Sequence, residues 1–173
     1  LINKLEFYVT LNIGVCVYPG DGKDVAKLFT NAENTLLNTQ YLWKNSCMYY
    51  TKEISKTVAR RLELKESLFY AIEDKELLLH YQPIVDLESG NLTGVEALVR
   101  WHHPKFGMLL PEKFIPLAKE TGLIVDLSKW VLKQACKQAR MWHEAGFKSL
   151  SMTINISAIE FDQAKLIGHI EGV

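Results

Sequence analysis

Three cysteines, Cys16, Cys47 and Cys136, are too few, too far apart and of the wrong parity for a disulfide framework. With no CxxC motif they do not read as a zinc site either, and the expectation is reduced, buried thiols in a cytosolic protein. No apolar run approaches the length of a membrane span, and no signal peptide opens the chain. There is no net charge. Twenty basic and twenty acidic residues cancel, which argues against general attraction to a nucleic-acid polymer or an anionic membrane. HExxH is absent, and the adjacent His102 and His103 would point to opposite sides of a strand, so a structural role is expected for both. No repeat or low-complexity stretch occurs. What remains is an ordinary globular composition, 48% hydrophobic and 23% charged over 173 residues, enough to bury a real core. A first residue of Leu and a trailing Glu171-Gly172-Val173 read as an excerpt of a longer polypeptide.

Periodicity divides the chain. Glu6 to Tyr18 is rich in β-branched and aromatic residues and reads as a strand, ended by the turn Pro19-Gly20-Asp21-Gly22. A helix is expected from about Lys23, with Val25, Leu28, Phe29, Ala32 and Leu36 on its buried stripe. Cys47 to Thr51 suits a short strand. Lys52 to Asp74 contains no Gly or Pro, and Ile54, Val58, Leu62, Phe69 and Ile72 mark an amphipathic connecting helix. A strand then begins at Leu77 and turns at Ser89-Gly90-Asn91 into a second strand, an antiparallel hairpin. Prolines and a glycine punctuate a loop region around a short helix near Glu112 to Thr121. Asp126 to Ala145 is the clearest helix, with Leu127, Trp130, Val131, Ala135 and Trp142 inside and Gly146 as its stop. His143 falls near its end, where a protonated ring suits the helix dipole. Leu150 to Ser157 alternates as a strand, and a last helix is expected near Asp162. Hairpin, helix, strand and helix in that order fit the opening of an α/β sheet or barrel.

Leu92 to Trp101 carries the most information. On a strand, Val95, Ala97, Val99 and Trp101 share one face, while Gly94, Glu96, Leu98 and Arg100 share the other. Glu96 and Arg100 stand about 13 Å apart at ~3.3 Å per residue, too far to neutralise each other. An ionisable group in mid-strand needs a partner or water; the plainer reading is the wet face of an edge strand.

Over roughly Leu68 to Phe161 the sequence resembles the first part of the EAL domain, the bacterial cyclic di-GMP phosphodiesterase module. The resemblance is carried by Tyr81-Gln82-Pro83-Ile84-Val85, Glu96-Ala97-Leu98-Val99-Arg100-Trp101, His103-Pro104, Phe114-Ile115-Pro116-Leu117-Ala118, Glu120-Thr121-Gly122-Leu123-Ile124, Trp130-Val131-Leu132 and Asn155-Ile156-Ser157. Their order over nearly a hundred residues is what makes the match specific. The first fifty residues resemble the end of a GGDEF (diguanylate cyclase) domain through Val9-Thr10-Leu11-Asn12-Ile13-Gly14-Val15 and Tyr18-Pro19. That portion departs from its family: Gln40 stands where a phosphate-associated lysine is usual, and Trp43 where a glycine precedes Lys44-Asn45. It reads as a non-cyclase remnant.

The resemblance implies a partial (β/α) barrel with an antiparallel first strand, preceded by the end of a GGDEF-like α/β domain. The implied boundaries are 1–50 for the GGDEF-like part, 51–74 for the connector and 75–173 for the EAL part. It implies hydrolysis of cyclic di-GMP to the linear dinucleotide with two Mg²⁺ or Mn²⁺ ions. Glu96 would be the catalytic metal ligand and Asn155 a second ligand; Gln82 and Arg100 would hold substrate, with Leu98 and Val99 lining the pocket. The residue types suit that work: hard cations take oxygen ligands, and the planar guanidinium of Arg100 suits a phosphate. Each has a plainer role too: Glu96 and Arg100 as salt-bridge partners, Asn155 as a helix cap, Gln82 as a backbone partner in the hairpin. The family's remaining acidic ligands and lysine fall later in the domain, so the chain alone is expected to be catalytically incomplete, and to aggregate or swap strands when isolated. A non-catalytic cyclic di-GMP receptor is the alternative. The reading leaves room for a homodimer, and for N-terminal sensory or membrane domains anchoring an otherwise cytoplasmic parent.

Overall fold

The structure, a computed structural model, describes residues 8–42 and 45–156. The chain divides into two compact units, residues 1–63 and 64–173, and each is described by itself.

In the first unit, β1 (Ile13–Val15) runs parallel to β2 (Cys47–Tyr49), with α1 (Val25–Leu42) between them in sequence. The strand expected over Glu6 to Tyr18 is three residues long among those described; Glu6 and Phe7 lie outside them. Tyr8, Val9 and Leu11 are exposed. Among the described residues no strand pairs with them, and propensity alone does not make a ladder. The buried stripe of α1 also differs from expectation. Val25 and Phe29 are exposed, and the residues inside are Asn31, Thr35, Asn38 and Thr39. Their burial is offset by hydrogen bonds from each side chain, although the Asn31 side-chain carbonyl oxygen has no partner among the described residues. The Thr35 hydroxyl donates to the Asn31 carbonyl (2.7 Å), Thr39 to that of Leu36 (2.6 Å), and the Asn31 amide to that of Asp21 (2.6 Å). Gly14 lets β1 approach this helix, since a Cβ there would run into the Ala32 carbonyl and the Leu36 amide. The expectation of buried thiols is corrected: Cys47 and Cys136 are exposed, and Cys16 is half-buried. Burial first, then the nearby Asp21 carboxylate, pushes the Cys16 thiol up from its ordinary pKa. Trp43 and Lys44 lie outside the described residues.

The second helix, α2 (Lys52–Leu68), stops six residues short of Asp74 because tight turns take over, closed by bonds such as Glu76 N–H to the Ala71 carbonyl (3.0 Å). Ile54 and Val58 are buried as expected, whereas Leu62 and Phe69 are exposed and Leu64, Leu68 and Ala71 are inside.

In the second unit, β3 (Leu77–Val85) and β4 (Leu92–His103) form the expected hairpin, in register from Leu77 opposite Trp101 to Gln82 opposite Glu96. Asp86 shapes the connection. Its carboxylate accepts the Ser89 hydroxyl (2.7 Å) and backbone N–H (2.8 Å), and Gly90 takes φ +69°. The chain then turns back through β5 (Gly107–Leu109), which pairs with the last three residues of β4. No strand was expected there. It exists because buried His103 accepts the N–H groups of Lys105 (3.0 Å) and Phe106 (3.3 Å) on Nδ1, closing the bend. The pair α3 (Pro111–Thr121) and α4 (Ile124–Glu144), separated by Gly122 at φ +78°, leads to β6 (Ser151–Ile154). That strand lies parallel to β4, from Gly94 opposite Ser151 to Ala97 opposite Ile154. The parallel pairing requires a long crossover, which the two helices supply.

β4 is therefore interior. β3 covers one side, and β6 and then β5 cover the other, so the wet edge-strand reading does not hold. Its apolar face packs under α3 and α4. Trp101, Phe114, Leu117 and Ala118 are fully buried, joined by Leu77, Leu109, Ile124, Leu127 and Val131. Trp101 packs edge-on to Phe114 (5.7 Å between centroids), and its indole N–H donates to Glu76 (2.8 Å). Trp142, half-buried, meets Tyr81 edge-on at 4.8 Å, and burial raises the Tyr81 phenol. The His143 ring bonds the Leu150 carbonyl at 3.0 Å, tying the end of α4 to the approach of β6. The expected helix near Asp162, and Ser157, lie outside the described residues.

Trp101→Ala should cost about 3–5 kcal/mol, from the cavity and the stranded Glu76, read as a lower urea midpoint with the slope unchanged. The Asp86 carboxyl is held below its ordinary range, first by the Ser89 hydroxyl and then by the Ser89 N–H. A lowered folded pKa gives stability that is present above the unfolded value and lost as pH falls through the folded one. Amide protection in the 86–91 turn should thus weaken under acid in the parent, and that acid step should vanish in Asp86→Asn.

Candidate functional site

The register of β4 with its two neighbours builds the site. Its polar face carries Gly94, Glu96, Leu98 and Arg100, and alternation puts their cross-strand partners on the same face. In one row stand Gln82 of β3, Glu96 of β4 and Thr153 of β6. His80 lies opposite Leu98 in the next row, and Leu78 opposite Arg100 beyond it. Asn155 follows β6 directly, two residues past Thr153, so the chain's alternation keeps it on this face.

Glu96 and Asn155 meet. The Asn155 side-chain amide donates to Glu96 Oε1 at 2.6 Å across 59 residues of sequence. Glu96 is half-buried, whereas Gln82, Thr153 and Asn155 are exposed. Ser151 ties β6 in place by donating its hydroxyl to the Thr93 carbonyl (3.0 Å). Gly94 is required beside it, because a Cβ there would overlap the Ser151 hydroxyl. Half-buried Arg100 donates from one terminal nitrogen to the Val99 carbonyl (2.9 Å), which leaves the rest of its fork available.

Val99 packs against the core under the helices, on the face opposite Glu96. Leu98 and Val99 nevertheless line one cavity of about 200 Å³ together with Ile115, Ile124, Leu127 and Asn155. His102 is exposed and His103 buried. Among the described residues no group of three or more His, Cys, Asp or Glu could hold a metal. The Glu96 carboxylate and the side-chain carbonyl of Asn155, just past the end of β6, are hard oxygen donors, a fit to a Mg²⁺-like cation, but two ligands are fewer than such an ion takes. One residue escaped the sequence reading: His80, two positions from Gln82 on the same strand face, a spacing visible in the sequence.

The site is thus an α/β sheet with an antiparallel first strand, a carboxylate in the middle of its second strand and an asparagine just past the end of a parallel neighbour. The EAL domain family model matches residues 65–173, and the chain belongs to that family. It is 36% identical over 169 residues to the bifunctional diguanylate cyclase/cyclic di-GMP phosphodiesterase MucR of Pseudomonas aeruginosa, covering 98% of this chain and 25% of that protein. The cyclic di-GMP phosphodiesterase NbdA of the same organism is 36% identical over 162 residues, 94% of this chain and 21% of NbdA. The chain thus spans about a quarter or less of the length of these relatives. Among solved structures, the c-di-GMP complex of the PaMucR phosphodiesterase superposes with a TM-score of 0.62 at 43% identity, over 64% of this chain and 44% of that one. The Xanthomonas citri FimX EAL domain in complex with c-diGMP gives 0.57 at 26%, over 68% and 45%.

Because the Glu96–Asn155 bond lies on an open face, Asn155→Ala should change stability by less than about 1 kcal/mol. A matching urea transition alongside lost ligand affinity would mark Asn155 as a binding residue; a large drop in stability would mark it as structural.

Proposed function

We propose that this chain joins the end of a GGDEF-like domain (1–50), through a connector (51–74), to the first part of an EAL (β/α) barrel (75–173), within a longer bacterial signalling protein. That protein hydrolyses cyclic di-GMP to the linear dinucleotide pGpG in the cytoplasm. The observation that carries this reading is the 2.6 Å meeting of Glu96 and Asn155 in the row that also holds Gln82, within a chain that belongs to the EAL family.

Glu96 and Asn155 would hold a divalent cation, Mg²⁺ or Mn²⁺, through carboxylate and amide oxygens, with further ligands for a two-ion site from elsewhere in the protein. A cation so bound supplies charge stabilisation to a phosphodiester and acidifies water. Arg100, two rows from Glu96, places its fork against a phosphate oxygen. Gln82 offers a donor and an acceptor beside Glu96, suited to a polar edge of the nucleotide. Leu98, between the two charges, gives an apolar surface that keeps water from the contact. The core beneath β4 fixes the spacing, so substrate is oriented by rigid strands. No helix among the described residues is long and apolar enough to cross a membrane, which leaves anchoring to segments elsewhere.

A receptor that binds cyclic di-GMP without cleaving it is the second reading. It is favoured by the departures of the first fifty residues from the GGDEF pattern at Gln40 and Trp43, which read as chemistry already lost from one half of the protein. Incubating the full-length protein with cyclic di-GMP and Mn²⁺ separates the two: linear product is expected, and Glu96→Gln should cut its rate roughly 100-fold or more. Tight binding without product would move the reading to the receptor.

A further inference from the structure

We propose that His80 is a ligand-contacting residue of this site, donating an imidazole N–H to a phosphodiester oxygen of the bound dinucleotide between Glu96 and Arg100. This deepens the reading above and rests on it.

The argument is one of register. His80 sits directly opposite Leu98, so its diagonal neighbours on β4 are Glu96 on one side and Arg100 on the other. Diagonal positions on an antiparallel pair lie about 7–8 Å apart. Long side chains can reach across that span, yet the imidazole bonds neither charge among the described residues, which leaves its N–H free for a phosphate group lying between them. A ligand engaging both Glu96 and Arg100 must cross the row that His80 and Leu98 form. Leu98 can offer that ligand only apolar surface, and Asn155 is already turned to Glu96. His80 is exposed and makes no hydrogen bond among the described residues, so it can present a donor without breaking an internal contact. The core does not need it either: its strand neighbours Leu77 and Leu79 pack inward while His80 points to the open face. In either neutral tautomer an imidazole carries one N–H, and a neutral donor to a charged phosphate oxygen forms a charge-assisted bond.

The test measures kcat and KM of the full-length protein on cyclic di-GMP with Mn²⁺, for the parent, His80→Leu, His80→Gln and Glu96→Gln. His80→Leu should raise KM about tenfold with kcat within roughly twofold, since the lost bond is made to bound substrate throughout. His80→Gln, which keeps a donor, should recover most of the loss. Melting temperatures should match, because the side chain is exposed. Unchanged KM in His80→Leu, a loss confined to kcat, or a glutamine variant no better than leucine would each overturn the proposal. If the parent binds without turnover, the same ranking is read in dissociation constants by calorimetry. If the parent neither binds nor cleaves, or Glu96→Gln is silent, the functional reading fails with it. If Glu96→Gln is crippled and His80→Leu is not, only the role of His80 falls.

Discussion

The site depends on the register of a single strand. β4 pairs with β3 along its length and with β6 along its first half, so one row collects Gln82, Glu96 and Thr153 from three strands. A slip of one residue in either ladder would turn Glu96 into the apolar core and Ala97 or Val95 onto the open face. The energetics forbid that slip. Trp101, fully buried, holds the apolar face down, and an unpaired carboxylate among Phe114, Leu117 and Leu127 would be costly. The core under α3 and α4 thus does more than stabilise the unit: it decides which way the carboxylate points.

Small residues then set how close the strands come. Gly94 admits Ser151, whose hydroxyl reaches the Thr93 carbonyl, and this contact brings β6 near enough for Asn155 to bond Glu96. Packing, register and the polar pair form one chain of dependence. The two residues of that pair stand 59 positions apart in sequence, and only the crossover through α3 and α4 unites them.

Much of this was legible from residue order. The hairpin, the long helix α4 and the alternation of Leu92 to Trp101 follow from periodicity, and the EAL motifs marked Gln82, Glu96, Arg100 and Asn155. What escaped was decided by partners rather than by the local pattern. The buried polar stripe of α1 rests on Asn31, Thr35 and Thr39 donating to backbone carbonyls and Asn38 to the Met48 sulfur, while Val25 and Phe29 stay outside; composition ranks those residues the other way. β5 arises from a histidine closing a bend, which no strand pattern announces. Val99 faces the core by alternation from Glu96, and still lines a cavity with Leu98 and Asn155. His80 was missed because it belongs to no signature word, and only cross-strand register shows what it faces.

Diffraction at the manganese absorption edge, from crystals of the full-length protein grown with Mn²⁺ and cyclic di-GMP, addresses the central claim most directly. The account predicts an anomalous peak in contact with both a Glu96 carboxylate oxygen and the Asn155 side-chain oxygen, their mutual hydrogen bond replaced by shared coordination. Manganese bound elsewhere, with Glu96 and Asn155 still bonded to each other beside the ligand, would contradict it.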